Sequence, residues 1–273
     1  MKLKTDFLQS IEHCQGFDKE AFIEAHHQTP VVSIRINQSK TLEQSVVLDD
    51  DNLLVKVPWC DEAYVLKDRP SFTLDPLFHA GAYYVQEASS MFLQYVAKEL
   101  FQEGHGYKAL DLCAAPGGKS TLMAGMHQFG MVISNEIIQS RVAVLQENII
   151  KWGQMKVLVS NNDPSDFKNL PEYFDFVMVD APCSGSGLFR KDPSAINEWS
   201  EESVLHCSTR QERILEDSID ALKEGGYLIY STCSYSFAEN EKIMDFIAAM
   251  PGMKNIDISI PENWNIVVTE SPN

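Results

Sequence analysis

Residues 111–121 read DLCAAPGGKST, and what that loop holds decides the fold. Its tail, Gly118-Lys119-Ser120, suits the Walker A pattern, in which a glycine-rich turn lets backbone N–H groups wrap a phosphate chain. The first glycine of that pattern is Cys113 here, and Gly-x-Gly-x-x-Gly spacing is missing as well. What is left is a turn between an apolar run and a helix. Gly117 and Gly118 permit close backbone approach and positive φ, whereas Pro116 stiffens the turn and has no N–H to offer. Taken alone, the loop is explained equally well as a plain turn at a helix start.

Outward from the loop the chain alternates regularly. The runs YKALDLC, GMVISNE, MKVLVSN, FDFVMVD and GGYLIYS are short and β-rich, and helical patterns such as STLMAGMHQ and SRVAVLQENIIKW lie between them. Alternation of this kind predicts an α/β fold, a mostly parallel sheet with helices on both faces. Ligands of such sheets bind beyond the carboxyl ends of the strands. That rule selects Cys113 to Lys119, Glu136, Asp163, Asp180 to Ser184, and Ser231 to Ser234. Glu136 ends the second run, where a carboxylate can accept from a ribose diol. Asp163 and Asp180 end the third and fourth. Three strand-end acids would repel a triphosphate but suit a ribose, an adenine amino group and a cation. S-adenosylmethionine, with its positive sulfonium, fits that description. The alternative for each acid is a turn former or helix cap.

Before about residue 105 the pattern is less regular. Two short amphipathic helices (Thr5 to Cys14, Asp18 to His27) precede the alternating VVSIRIN, and Val85, Ser89, Phe92, Val96 and Leu100 stand at helical spacing. The expected organisation is a small mixed α/β domain, residues 1–105, with a linker helix at its end, then a catalytic domain, residues 106–273.

Composition narrows the function. With 273 residues, 44% of them apolar, the chain can bury a sizeable core. It has no signal-peptide core and no apolar run approaching the roughly 18 residues of a membrane span, so a cytoplasmic protein with no membrane partner is expected. The six cysteines lack CxxC spacing, which speaks against a zinc site or a disulfide framework. Lys and Arg number 22 against 39 Asp and Glu, a net charge of -17 that argues against gripping nucleic acid with the whole surface. Arg190-Lys191 could still form a local basic site.

Two cysteines stand at strand ends: Cys183 in DAPCSGSG and Cys233 in YSTCSYS. If the fourth and fifth strands are neighbours, both thiols lie over one edge of the sheet. A single strand-end cysteine is an inert small residue more often than a nucleophile. Two of them beside a methyl-donor site reverse that expectation.

Together LDLCAAPGGKST, VMVDAPCSGSGLFRKDP and GGYLIYSTCSYSFAENE resemble the loop, proline-cysteine and threonine-cysteine motifs of the Sun-type RNA cytosine-5 methyltransferases. VPWC and YYVQEASSMF, upstream, are most similar to the bacterial RsmF (YebU) branch, which acts on small-subunit ribosomal RNA. The resemblance covers most of residues 30 to 250. It implies a Rossmann-like, S-adenosylmethionine-dependent methyltransferase fold and methylation of cytosine C5 in RNA, most simply ribosomal RNA or a small ribosomal subunit. C5 is a poor nucleophile, so a thiolate first adds at C6. By resemblance Cys233 is that nucleophile, and Cys183 removes the C5 proton or helps to expel Cys233. Asp180 would contact the donor or the N3/N4 edge of the base. The donor would be held by Cys113, Ala114, Ala115, Pro116, Gly117, Gly118, Lys119, Glu136, Asp163 and Asp180. Arg190 and Lys191 would meet the RNA backbone, the target base would leave its stack, and no metal is required. Family members continue past the threonine-cysteine motif into a PUA-like RNA-binding region, so the catalytic domain ending at Asn273 is expected to be cut short. Two other classes compete: a non-catalytic ribosome-assembly factor, disfavoured by the two cysteines, and a P-loop-like ATPase, disfavoured by Cys113.

Overall fold

The computed structural model describes residues 3–40 and 52–269; the extreme residues of the two expected domains, 1–2 and 270–273, lie outside the described residues. In chain order the elements are α1 (Thr5–Ser10), α2 (Lys19–His27), β1 (Val32–Ile36), β2 (Leu53–Lys56), β3 (Ala63–Leu66), α3 (Pro76–His79), β4 (Tyr83–Val85), α4 (Leu93–Leu100), β5 (Tyr107–Asp111), α5 (Gly118–Gly125), β6 (Phe129–Asn135), α6 (Gln139–Trp152), β7 (Val157–Ser160), β8 (Phe174–Asp180), α7 (Glu201–Ser218), β9 (Leu222–Ser231) and α8 (Glu241–Ala248). The chain packs as two compact units. One is Val31–Val179 with Asp220–Ile229; the other is Met1–Pro30, Asp180–Ile219 and Tyr230–Asn273. This division follows packing and does not run at residue 105.

The first unit contains both sheets, apart from the last residues of β8 and β9. A small sheet has the order β2-β3-β1-β4. Its β1, from the alternating run VVSIRIN, pairs antiparallel with β3 and β4. Val85 departs from the helical spacing of the sequence: it pairs with Ile34 in β4, and α4 starts only at Leu93 after a 3-10 turn, Ser89–Phe92. Ladder bonds to β1 outweigh the local preference there, and spacing along the chain cannot reveal a partner some 50 residues away.

All five β-rich runs form the second sheet, in the order β7-β6-β5-β8-β9. The pairings of β5 with β6, β5 with β8 and β6 with β7 are parallel. After β5 the chain fills one side of the sheet through β6 and β7, then crosses to the other with β8. The order therefore reverses at β5, and the DLCAAPGGKST loop leaves the sheet at that switch point, where ligands of α/β sheets bind. One core, including Met91, Ala97, Phe101, Leu122, Phe129, Phe176 and Met178, joins α4 and α5 to the strands. Complete burial of each of the Met, Phe and Leu side chains among them contributes about 1.5–3 kcal/mol.

The second unit is built on a separate core of Phe7, Leu8, Ile11, Phe189, Ile196, Trp199 and Val204. Phe7 meets Phe189 and Trp199 edge-on, with centroids 5.0 and 5.3 Å apart. Thus α1 is anchored to the segment that follows Cys183. No helix among the described residues is long and apolar enough to cross a membrane.

Candidate active site

In the first unit the loop after β5 is tied down through its carbonyls. Arg141 donates to Ala115 O at 2.7 Å, Asn148 to Pro116 O at 2.8 Å, and Arg35 to Gly118 O at 3.2 Å. Gly117 has φ 108°, a left-handed conformation suited to glycine, and a Cβ there would meet Leu145 Cδ1 at 3.2 Å. Ala114, Ala115 and Gly117 are buried, Cys113, Gly118 and Lys119 half-buried, and Pro116 exposed. Asp111, at the end of β5, is fully buried and accepts from Ser120 Oγ at 2.6 Å. Three carbonyls of the loop are thus held by side chains from outside it.

Glu136 follows β6 and is 2% exposed. Its Oε1 accepts from Ile138 N–H at 2.9 Å, while Oε2 faces Arg141 Nη1 at 3.3 Å and accepts no hydrogen bond from the described residues. Arg141 therefore links this carboxylate to the loop carbonyl of Ala115. Ile137 and Ile138, next in sequence, leave about half of their surface exposed. Asp163 is the N-cap of a 3-10 helix, Pro164–Asn169: one oxygen accepts from Ser165 N–H at 3.0 Å and from Ser165 Oγ at 2.7 Å. Much of its acceptor capacity is thus spent on the cap.

Sequence reading did not single out Arg35. It is 3% exposed and donates to Gln86 Oε1 (3.1 Å) and Thr121 Oγ1 (2.7 Å) as well as to Gly118 O. Its guanidinium stacks over Trp152 with 4.4 Å to the ring centroid. Burial pulls its pKa down to about 10, offset in part by Cys60, Tyr84 and Glu62, so it is still charged at neutral pH. The available signal was one arginine inside an alternating apolar strand.

In the second unit the ends of β8 and β9 carry the thiols. Ser231 Oγ donates to Asp180 Oδ1 at 2.6 Å, and Ala181 N–H donates to Ser231 O at 2.8 Å. Beyond this pairing the Sγ atoms of Cys183 and Cys233 stand 3.0 Å apart. Cys233 is exposed and Cys183 half-buried. The neighbouring Cys233 sulfur, with burial second, pushes the Cys183 thiol well above its ordinary range. Two thiolates at this separation repel, so the pair retains a proton on the less hydrated sulfur. Gly187 closes the arrangement: its N–H donates to Cys233 O at 2.6 Å, and a Cβ there would lie 2.4 Å from that oxygen. Arg190 donates to Thr29 O at 2.8 Å, which fastens the end of the α2 segment, and Lys191 is exposed. Among the described residues no group of three or more His, Cys, Asp or Glu is placed to hold a metal ion.

Residues 100–271 match the model of the 16S rRNA methyltransferase RsmB/F family, and residues 3–88 match the N-terminal domain of 16S rRNA methyltransferase RsmF. The chain belongs to the RsmB/F family. Among its relatives, Ribosomal RNA small subunit methyltransferase F of Vibrio parahaemolyticus serotype O3:K6 is 37% identical over 281 residues, which is 97% of this chain and 58% of that protein. The protein of the same name from Vibrio cholerae serotype O1 is 40% identical over 235 residues, 81% of this chain and 48% of the relative. The chain spans about half the length of the curated relatives it matches. The crystal structure of PH0851 superposes with a TM-score of 0.83 at 27% identity, covering 95% of this chain and 59% of that one. NSun6 from Pyrococcus horikoshii with SFG gives 0.72 at 18% identity, covering 89% and 86%, a likeness of fold. RsmB/F proteins are S-adenosylmethionine-dependent methyltransferases, and the five-stranded sheet with an N-terminal antiparallel sheet is their architecture in this chain.

Proposed function

We propose that this chain methylates C5 of cytosine in RNA, with small-subunit ribosomal RNA as substrate, through a covalent adduct between Cys233 and C6 of the base. The observation that carries the reading is the pair of sulfurs 3.0 Å apart beyond two neighbouring strand ends. The family matches at 3–88 and 100–271 also support an N-terminal domain ending near residue 105.

S-adenosylmethionine, when bound, supplies an electrophilic methyl group. The features that fit it are a buried Glu136 oxygen that faces Arg141 but accepts no hydrogen bond from the described residues, suited to a ribose diol, the half-exposed apolar surface of Ile137 and Ile138 for an adenine face, and the left-handed backbone at Gly117. Cys113 to Lys119, Glu136, Asp163 and Asp180 are the residues assigned to hold it.

Exposed Cys233 is the better hydrated thiolate and adds to C6, which turns C5 into an enamine-type nucleophile. Asp180, held by Ser231, is assigned to the N3/N4 edge of the base. Formation of the C–S bond consumes the Cys233 charge. Because Cys233 is the first cause of the raised Cys183 pKa, adduct formation lets Cys183 release its proton to solvent water more easily. Cys183 is then able to act as the base that takes the C5 proton. The electrons of that C–H bond re-form the C5–C6 double bond and expel Cys233 as thiolate. Arg190 and Lys191 are assigned to the RNA backbone, Arg190 by the donors that its Thr29 contact does not use.

The test separates the two thiols. Cys233→Ala is expected to abolish both methylation and adduct, and Cys183→Ala to accumulate a protein–RNA complex that survives denaturing electrophoresis. Trapping by Cys233→Ala alone would make Cys183 the nucleophile. If wild-type protein, donor and unmodified small-subunit RNA yield neither product nor adduct, a non-catalytic role in ribosome assembly replaces the enzyme.

A further inference from the structure

We propose that Glu239 is a positioning residue for the two reactive cysteines: its buried carboxylate sets the separation and orientation of Cys183 and Cys233 by holding the residue that follows each. The proposal rests on the reading of these thiols as catalytic. Glu239 is completely buried. Its Oε1 accepts from Ser184 N–H at 2.7 Å and from Gln211 Nε2 at 3.3 Å, and its Oε2 accepts from Ser184 Oγ at 2.6 Å and from Ser234 Oγ at 2.5 Å. All four contacts are donations to the carboxylate, which is what an ionised, acceptor-only group requires. Charge-assisted bonds of this length are the strong ones.

Ser184 and Ser234 lie 50 residues apart in sequence, yet one side chain grips both. The opposite flanks are held as well. Gln211 Nε2 also donates to Pro182 O at 3.0 Å, just before Cys183. Thr232 Oγ1, just before Cys233, donates to Asn240 Oδ1 at 2.6 Å, and Asn240 Nδ2 donates to Ser234 O at 2.9 Å. Each cysteine is thus bracketed, and Glu239 is the group common to both brackets. A carboxylate buried beside two thiols that share one proton carries an electrostatic cost, which an uncharged residue would avoid. Its retention in the cradle is accounted for by four donors that no neutral side chain of that size could satisfy together.

The experiment uses the full chain and reads the geometry without requiring activity. Phenylarsine oxide condenses with two close thiols, forming two As–S bonds and releasing water, so peptide mapping of the product reports on the Cys183–Cys233 separation. Misplacement of a reacting group by about 1 Å costs on the order of 100-fold. Glu239→Ala is therefore expected to slow both Cys183–Cys233 bridging and single-turnover methylation by roughly 10- to 100-fold, with affinities for S-adenosylmethionine and RNA and the KM for RNA unchanged. Glu239→Asp should recover part of each rate. Should Glu239→Ala fail to fold, the double variant Ser184→Ala/Ser234→Ala keeps the carboxylate and removes two of its donors, and it should slow bridging by about tenfold. Bridging that stays within twofold of wild type in the variant that folds overturns the proposal, as does failure of the wild-type thiols to bridge. A wild type that bridges but never methylates sinks the enzymatic reading, while bridging in the variants still decides the role of Glu239.

Discussion

The loop after β5, Asp111 to Lys119, and the loops that carry Cys183 and Cys233 are held by opposite chemistry. Cationic and amide side chains hold the first by its carbonyl oxygens: Arg141 on Ala115, Asn148 on Pro116 and Arg35 on Gly118. A single carboxylate holds the second pair by N–H and O–H donors, with Glu239 on Ser184 and Ser234. The first arrangement immobilises the backbone itself, which is what a surface that recognises a ligand by shape needs. In the second, the residues flanking each cysteine are immobile while the Cys233 sulfur stays exposed. The loop proposed to bind is held along its backbone; the loops proposed to react are held on either side of the sulfur.

The largest test of this contrast is at the loop after β5. Arg35→Ala would leave Gln86, Gly118 and Thr121 without their donor and open a space beside Trp152, at an expected cost of about 3–5 kcal/mol. Thermal unfolding would show it, and S-adenosylmethionine affinity should fall in parallel because the Gly118 carbonyl is released. Arg35→Lys should recover little, since a lysine cannot serve those acceptors with one planar fork. Undiminished donor affinity in either variant would break the link between loop rigidity and binding.

On the thiol side Gly187→Ala pushes a methyl group against the Cys233 carbonyl, 2.4 Å from the ideal Cβ position. A loss of about 1–3 kcal/mol in stability is expected, and methyl transfer should fall much further than stability does. Equal losses in the two measurements would mean that Gly187 only fills space. Glu136→Ala should weaken S-adenosylmethionine binding by about 1–3 kcal/mol through the lost ribose acceptor. Calorimetry measures this directly, and an unchanged affinity would reduce Glu136 to a partner of Arg141.

The smallest effect is a titration. Cys233 is the leading cause of the raised Cys183 pKa, so Cys233→Ala should shift the pH dependence of Cys183 alkylation downward; burial keeps it above the ordinary thiol range. Cys60, in the other unit, has its pKa pushed to about 11 by burial and should stay unlabelled at pH values where Cys233 reacts. A Cys183 profile that does not move in the variant would separate the two sulfurs electrostatically.

Local signals carried much of the molecule. The five β-rich runs became the five strands of the second sheet, and the reversal of strand order at β5 put the glycine loop where a ligand site belongs. Cys183 and Cys233 could be named in advance because each stands just past a strand, and the adjacency of β8 and β9 brings the two strand ends together, with the sulfurs 3.0 Å apart. Asp163 shows the limit of the same reasoning. A strand-end acid and a helix cap look alike in sequence, and its bonds to Ser165 appear only once the backbone turns. Val85 shows another, since its helical spacing yielded to pairing with Ile34.

The order of strands and helices, the glycine loop, the strand-end acids and the two cysteines were determined by the sequence itself, because each rests on residues a few positions apart whose periodicity and turn chemistry act locally. The tertiary structure alone decided what holds them: Arg35 reaching Gly118 across 83 residues, and Glu239 reaching Ser184 across 55. Arginine in a strand and glutamate after a cysteine motif carry no local mark of their partners. A buried charge is tolerated only where distant donors or acceptors converge on it, and that convergence exists only after the chain has folded.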